Sequence, residues 1–127
     1  MKKTLWILFF LLFFSTILYS QNSSTRVKHY NLGQNALAIQ GYDPVSYFTD
    51  GDAKKGKKEF SVINNGITYY FRSEANKSLF LKNPAFYEPQ YGGWCAYAMG
   101  AKGEKVSVDP ETFKLLNGKL YLFYNSY

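Results

Sequence analysis

The chain has 127 residues, 15 Lys and Arg against 9 Asp and Glu, a formal charge of +6, one cysteine and one histidine. That length supports a single core. One cysteine excludes an internal disulfide, and one cysteine with one histidine excludes a zinc site of the usual Cys/His kind.

Lys2 and Lys3 precede the apolar run Leu5 to Phe14, which is followed by Ser15 to Ser20. A charged start and a short apolar core read as a secretory signal peptide over residues 1–20. The run is shorter than the ~20 residues a spanning helix needs, and an uncleaved anchor is the alternative. No cysteine follows the run at the point where a lipid would be attached. The expected destination is the periplasm or the exterior, with no stable membrane span after cleavage. Cleavage removes Lys2 and Lys3 and no acid, leaving 13 basic and 9 acidic residues, or +4 on 107 residues. So modest a charge on an exported protein argues against nucleic-acid binding.

Gln21 to Lys28 is polar, with Asn22-Ser23-Ser24-Thr25, and residues 21–34 read as a flexible leader to a domain over 35–127. Asn35 to Gln40 is a short strand candidate ended by Gly41. Asp43-Pro44 supplies an N-cap and a first-turn proline, which predicts a helical turn through Phe48, closed at Thr49-Asp50-Gly51. The basic run Lys54-Lys55-Gly56-Lys57-Lys58 reads as a solvated loop. Two hairpins follow from turn chemistry. Glu59–Asn64 and Ile67–Phe71 flank Asn65-Gly66, and Thr112–Leu116 and Lys119–Tyr124 flank Asn117-Gly118; Asn-Gly tolerates the positive φ of a type I′ turn. Between the hairpins, Ser73 caps a helix with Ala75, Leu79 and Phe80 on one side, ended by Asn83-Pro84. A second helix is expected from Gly92 or Gly93 to Met99, stopping at Gly100. The predicted class is α+β, a small single domain with two β-hairpins and short helices, and 12 Tyr and 11 Phe are available to fill its core.

Chemistry concentrates at Gly92-Gly93-Trp94-Cys95-Ala96. A glycine pair suits a strained approach to a helix, and a thiol in the first turn of that helix sits where the dipole favours a thiolate. Apolar neighbours such as Trp94 and Tyr97 act in the opposite sense. Cys95 and Met99, four apart on a helix, share a face; thiolate with thioether is a soft pair suited to Cu(I), and His29 completes such a site if the leader folds back. Alternatively, Cys95 is a redox thiol, which with no second cysteine needs an external thiol. A buried, inert cysteine with a structural role is the third reading. Glu88 is near enough in sequence to orient the proton of the thiol, while Asp43 and Asp109-Pro110 read as a cap and a turn.

Five motifs in order, Gly41-Tyr42-Asp43-Pro44-Val45-Ser46-Tyr47-Phe48, Tyr69-Tyr70-Phe71-Arg72-Ser73, Phe80-Leu81-Lys82-Asn83-Pro84, Tyr87 to Ala96 and Gly118-Lys119-Leu120-Tyr121-Leu122, resemble the secreted branch of the YHS-domain proteins. The resemblance covers roughly Ala36 to Asn125. It implies a YHS-like domain over 35–127 and says less about function. Metal-handling relatives carry two cysteines at the places held here by Arg72 and Asn76, so the resemblance implies that their metal site is missing. Some relatives of the secreted branch place selenocysteine in a position like that of Cys95, which implies a reactive residue there. Relatives also continue past the last strand into a further helical segment. If this chain is truncated at Tyr127, an exposed apolar face and self-association are expected.

The readings converge on an exported module that binds a soft metal ion or small ligand near Cys95, with the redox thiol as alternative. The intact mass of the protein recovered from the cell envelope tests the export step: a mass lacking residues 1–20 is expected, and a mass retaining them identifies an anchor.

Overall fold

Asn65-Gly66 and Asn117-Gly118 decide the sheets. In the computed structural model, which describes residues 23–125, both residues of each pair have positive φ, 47° and 86° in the first and 53° and 72° in the second. That combination defines a type I′ turn, whose twist matches the strands it joins. Strand β1 (Lys57–Asn64) therefore pairs antiparallel with β2 (Ile67–Phe71), and β3 (Asp109–Leu116) with β4 (Lys119–Phe123). The register slips between Lys57 and Ser61 and again between Asp109 and Phe113, which bends the strand start in each hairpin. The two sheets are separate ribbons. A lone hairpin is marginal in water, so each depends on what packs against it.

Alternation along the strands supplies that packing. Ile67, Tyr69 and Phe71 of β2 are fully buried, as are Leu120 and Leu122 of β4. Tyr124, the next residue in that alternation, lies beyond the strand and is 61% exposed. The core is closed by Val45, Tyr47, Phe80, Cys95 and Ala98. Phe80 stacks at 4.8 Å on Tyr69 and 5.1 Å on Phe71. Tyr47 meets Phe113 edge-on at 4.8 Å and donates its hydroxyl to the Pro110 carbonyl at 2.7 Å, which ties the second ribbon to the first half of the chain.

Five helices complete the described chain. Helix α1 spans residues 23–29, so a helix stands where composition indicated a flexible leader. The reason is tertiary, because Arg26 finds a buried partner and Tyr30 packs over Gly92, as described below. Residues 1–22, including the expected signal segment, and residues 126–127 lie outside the described part. Asn35 to Gln40 forms two tight turns instead of a strand, with φ of 56°, 57°, 52° and 51° at Asn35, Ala36, Ile39 and Gln40. Only isolated bridges, Leu32 with Ala38 and Leu37 with Thr68, remain of sheet pairing there. Helix α2 (Ser46–Thr49) opens as expected from Asp43: its carboxylate accepts the N–H groups of Val45 at 2.8 Å and Ser46 at 3.4 Å.

Helix α3 (Glu74–Lys82) is capped by Ser73, whose hydroxyl accepts the Asn76 N–H at 3.2 Å. Its buried line differs from the expected one. Ala75 is exposed and Leu79 is 36% exposed, and of the three only Phe80 is buried. Asn76 lies one turn before Phe80 on the same face and donates its side-chain amide to buried Asp43 at 2.8 Å. A polar anchor thus sets the rotation of the helix, which apolar spacing alone misjudges. After Asn83, Pro84 begins a further turn, α4 (Pro84–Tyr87). Helix α5 (Ala96–Lys102) starts later than predicted and runs through Gly100 to a left-handed cap at Gly103. Among the described residues no helix is long and apolar enough to cross a membrane.

The first hairpin yields a stability test. Gly66 has φ of 86°, and a Cβ built there would sit 2.9 Å from the Val27 side chain of α1. Gly66→Val is expected to destabilise the protein by about 1–3 kcal/mol, measured by urea denaturation, with an unchanged midpoint contradicting the turn geometry.

Candidate functional site

The stretch around Cys95 is built from the backbone outward. Gln90–Gly93 forms a tight turn in which Tyr91, Gly92 and Gly93 have φ of 55°, 61° and 82°. The segment following α1 crosses directly over it. Asn31 donates its backbone N–H to the Gly92 carbonyl at 2.9 Å and its side-chain amide to the Gly93 carbonyl at 3.1 Å. The Trp94 indole N–H donates to the His29 carbonyl at 2.7 Å. A Cβ on Gly92 would lie 3.3 Å from the Tyr30 Cα. The glycine pair is therefore accounted for by positive φ and by the close passage of Tyr30, independently of thiol chemistry.

Cys95 is not in the first helical turn. It is the residue before α5, with φ −55° and ψ 118°. Its N–H donates to the Val106 carbonyl at 2.8 Å and its carbonyl accepts the Met99 N–H at 3.0 Å. The residue is only 2% exposed and belongs to the core. It nonetheless contributes to the lining of an open pocket of about 160 Å³, with Tyr97, Lys102, Glu104, Val106 and Tyr124 around it. The site thus combines a thiol, two tyrosines and one charge of each sign.

The other two metal candidates are placed less favourably. Met99 follows Cys95 by one turn and is half-buried, but it is not among the residues lining the pocket. The segment carrying His29 does fold back, yet it is the backbone carbonyl that meets Trp94, and the residue is exposed. Among the described residues no group of three or more His, Cys, Asp and Glu is arranged to hold a metal ion. Arg72 and Asn76 serve the fold: the Arg72 N–H and the Asn76 amide each donate at 2.8 Å to the second carboxylate oxygen of Asp43. The basic run is not a single loop: Lys57 and Lys58 open β1, while Lys54 pairs with Asp50 at 3.2 Å and Lys55 lies 5.8 Å above the Tyr42 ring. Asp50 is held below the usual carboxylate range, chiefly by its hydrogen bond to Lys54.

Glu88 has a role that its nearness to Cys95 in sequence did not reveal. It is 7% exposed, and one carboxylate oxygen accepts both the Tyr69 hydroxyl at 2.5 Å and Arg26 Nη2 at 2.6 Å. The Arg26 guanidinium also lies 4.9 Å over the Tyr30 ring. Burial, reinforced by the Glu88 charge, pushes the Tyr69 hydroxyl well above the ordinary phenol value and raises Tyr30 as well. Burial alone would lower Arg26, but the hydrogen bond and charge of Glu88 outweigh it and leave the guanidinium raised. The only sequence signal for this network was an acidic residue amid aromatics just before Pro89. Its partners lie 19 and 62 residues away, beyond the reach of any local pattern.

Comparison with protein-family models, with curated proteins and with solved structures finds no match.

The buried phenol gives a pH dependence whose sign is fixed. Because the Tyr69 pKa is raised in the folded state, the unfolded chain releases that proton first. The contribution is complete below the unfolded value of ~10 and is lost as pH rises above it toward the folded value. Urea denaturation across this range is expected to show falling stability. Tyr69→Phe should make the decline shallower while costing about 1.5–3 kcal/mol at neutral pH, the worth of a hydrogen bond to a charged group. An unchanged alkaline decline would remove Tyr69 from the network.

Proposed function

We propose that this chain is an exported module of the YHS type that holds a small ligand or soft ion against Cys95 and does not turn it over. The observation that carries the reading is the position of Cys95, packed in the core yet bordering an open pocket. A thiol held this way is available to an occupant of the pocket and shielded from bulky reagents. Tyr97 and Tyr124 offer aromatic surface, while Lys102 and Glu104 offer one charge of each sign. That pattern suits retention of a small molecule through a few polar contacts inside an apolar surround. The soft-ion version pairs Cys95 with Met99, a thiolate and a thioether matched to Cu(I), and it requires Met99, which lies outside the pocket lining, to turn toward the thiol.

The redox alternative requires an external thiol or disulfide to reach the Cys95 sulfur, and thiol exchange depends on that access. A pocket of about 160 Å³ favours a small occupant over a protein disulfide. The export signal and the YHS resemblance set the context of the proposal and rest on the sequence motifs alone.

Alkylation and copper titration test the reading together. In the folded, reduced protein, iodoacetamide is expected to label Cys95 and a bulky maleimide to label it far more slowly. Labelling by both reagents only after unfolding would make Cys95 an inert core residue and end the proposal. Equal, rapid labelling by both would favour the redox alternative. Stoichiometric Cu(I) binding that is lost in both Cys95→Ser and Met99→Leu identifies the occupant as a soft ion, whereas unchanged binding in both ends the copper version.

A further inference from the structure

A second pocket, larger than the one at Cys95, lies where the segment after α1, the strained turn at residues 39–41 and the approach to β3 meet. Its volume is about 240 Å³, and Asn31, Leu32, Ile39, Gln40, Ser107 and Val108 contribute to its lining. Two carboxamides bridge its walls. The Asn31 amide nitrogen donates to the Gly93 carbonyl at 3.1 Å and to the Ser107 hydroxyl oxygen at 3.4 Å. The Gln40 amide nitrogen donates to the Val108 carbonyl at 3.1 Å.

These bonds leave a defined set of groups for a ligand. Each amide uses its nitrogen, and among the described residues neither amide oxygen has a hydrogen-bond donor. The Ser107 oxygen accepts from Asn31, so its O–H remains to donate. Two carboxamide side chains and one hydroxyl side chain thus contribute to a lining that also includes Leu32, Ile39 and Val108. No lining residue is charged, so the site does not select an ion. Ile39 and Gln40 hold φ of 52° and 51°. A β-branched residue there is an outlier, and such conformations persist where surrounding contacts over-determine them, notably at ligand clamps.

We propose that this pocket binds a neutral polyol of single-ring size, such as a pentose or hexose. Adjacent hydroxyls match the amide oxygens and the Ser107 O–H, and the C–H face of a ring matches the aliphatic lining. The volume lies below the ~300 Å³ at which drug-sized pockets begin, which limits the occupant to one ring. The site is separate from the Cys95 pocket and does not depend on the reading given for it.

The test is a ¹H–¹⁵N NMR titration of the full chain with D-glucose, D-galactose, D-xylose and myo-inositol, carried beyond the concentrations of a millimolar Kd. Glucosamine and glucuronate serve as charged controls. At least one neutral compound is expected to give saturable shifts at Gly33, Gln40 and Ser107, with an affinity insensitive to salt. Gln40→Gly removes the amide and suits the positive φ, so it should fold and weaken binding at least about tenfold. Ser107→Ala, at an exposed position, should weaken it in the same direction and decides the matter if Gln40→Gly proves unfolded. The proposal is overturned if no neutral compound gives saturable shifts or if the shifts centre on Tyr97, Lys102 and Tyr124. Tighter binding of a charged control, or full affinity retained in the folded variants, overturns it too.

Discussion

The carboxylate of Asp43 organises this protein. It is fully buried and accepts from four N–H groups, those of Val45, Ser46 and Arg72 in the backbone and that of the Asn76 side chain. Burying such a group without partners is costly, and breaking a satisfied buried network leaves several donors stranded at once. Asp43 can therefore be accommodated only if α2, the end of β2 and the start of α3 arrive together. The Asn76 bond rotates α3, which brings Phe80 onto Tyr69 and Phe71 and closes the aromatic core. It also explains why Asn76 stands where it does: its side-chain amide, with the Arg72 backbone N–H, completes the shell of the carboxylate.

Glu88 is the second buried carboxylate and performs the same task for the N-terminal side. With Arg26 and Tyr69 as donors, it holds α1 against the domain, and from there the chain runs across Gly92 and Gly93. The glycine pair, the indole of Trp94 and Asn31 form one contact surface with that crossing segment. The backbone around Cys95 is thus set by a part of the chain more than sixty residues earlier. Both buried carboxylates act between segments, whereas the exposed pairs, such as Lys77 with Glu74 at 4.0 Å, contribute little.

The two pockets lie on different parts of this framework. The Cys95 pocket lies along α5 and the segment carrying Glu104 and Val106, where the Cys95 N–H binds the Val106 carbonyl. The amide-lined pocket exists because the crossing segment brings Asn31 to Ser107, while the turn at Ile39 and Gln40 reaches Val108. One pocket is lined by a cysteine, two tyrosines and one charge of each sign, the other by uncharged polar and aliphatic residues.

Local chemistry was legible in the sequence. Asn-Gly forces positive φ wherever it falls between apolar runs, so both hairpins and the α+β class followed from dipeptides and alternation. Asp43-Pro44 and Ser73 announced helix starts because a cap needs only residues two or three places away. Cys95 was legible as the one thiol, with a buried place among its readings, but its position before α5 was not. The helix-like spacing from Gly92 to Met99 conceals a turn that only the passage of Tyr30 explains. The same limit applies to α1, to the turns at Asn35–Gln40 and to the exposed Leu79. Composition described a leader, a strand and an apolar face, but Arg26, Thr68 and Asn76 found partners distant in sequence. Tertiary structure decided these points because a buried polar group takes whatever partner the fold brings to it, and no local pattern encodes which one that is.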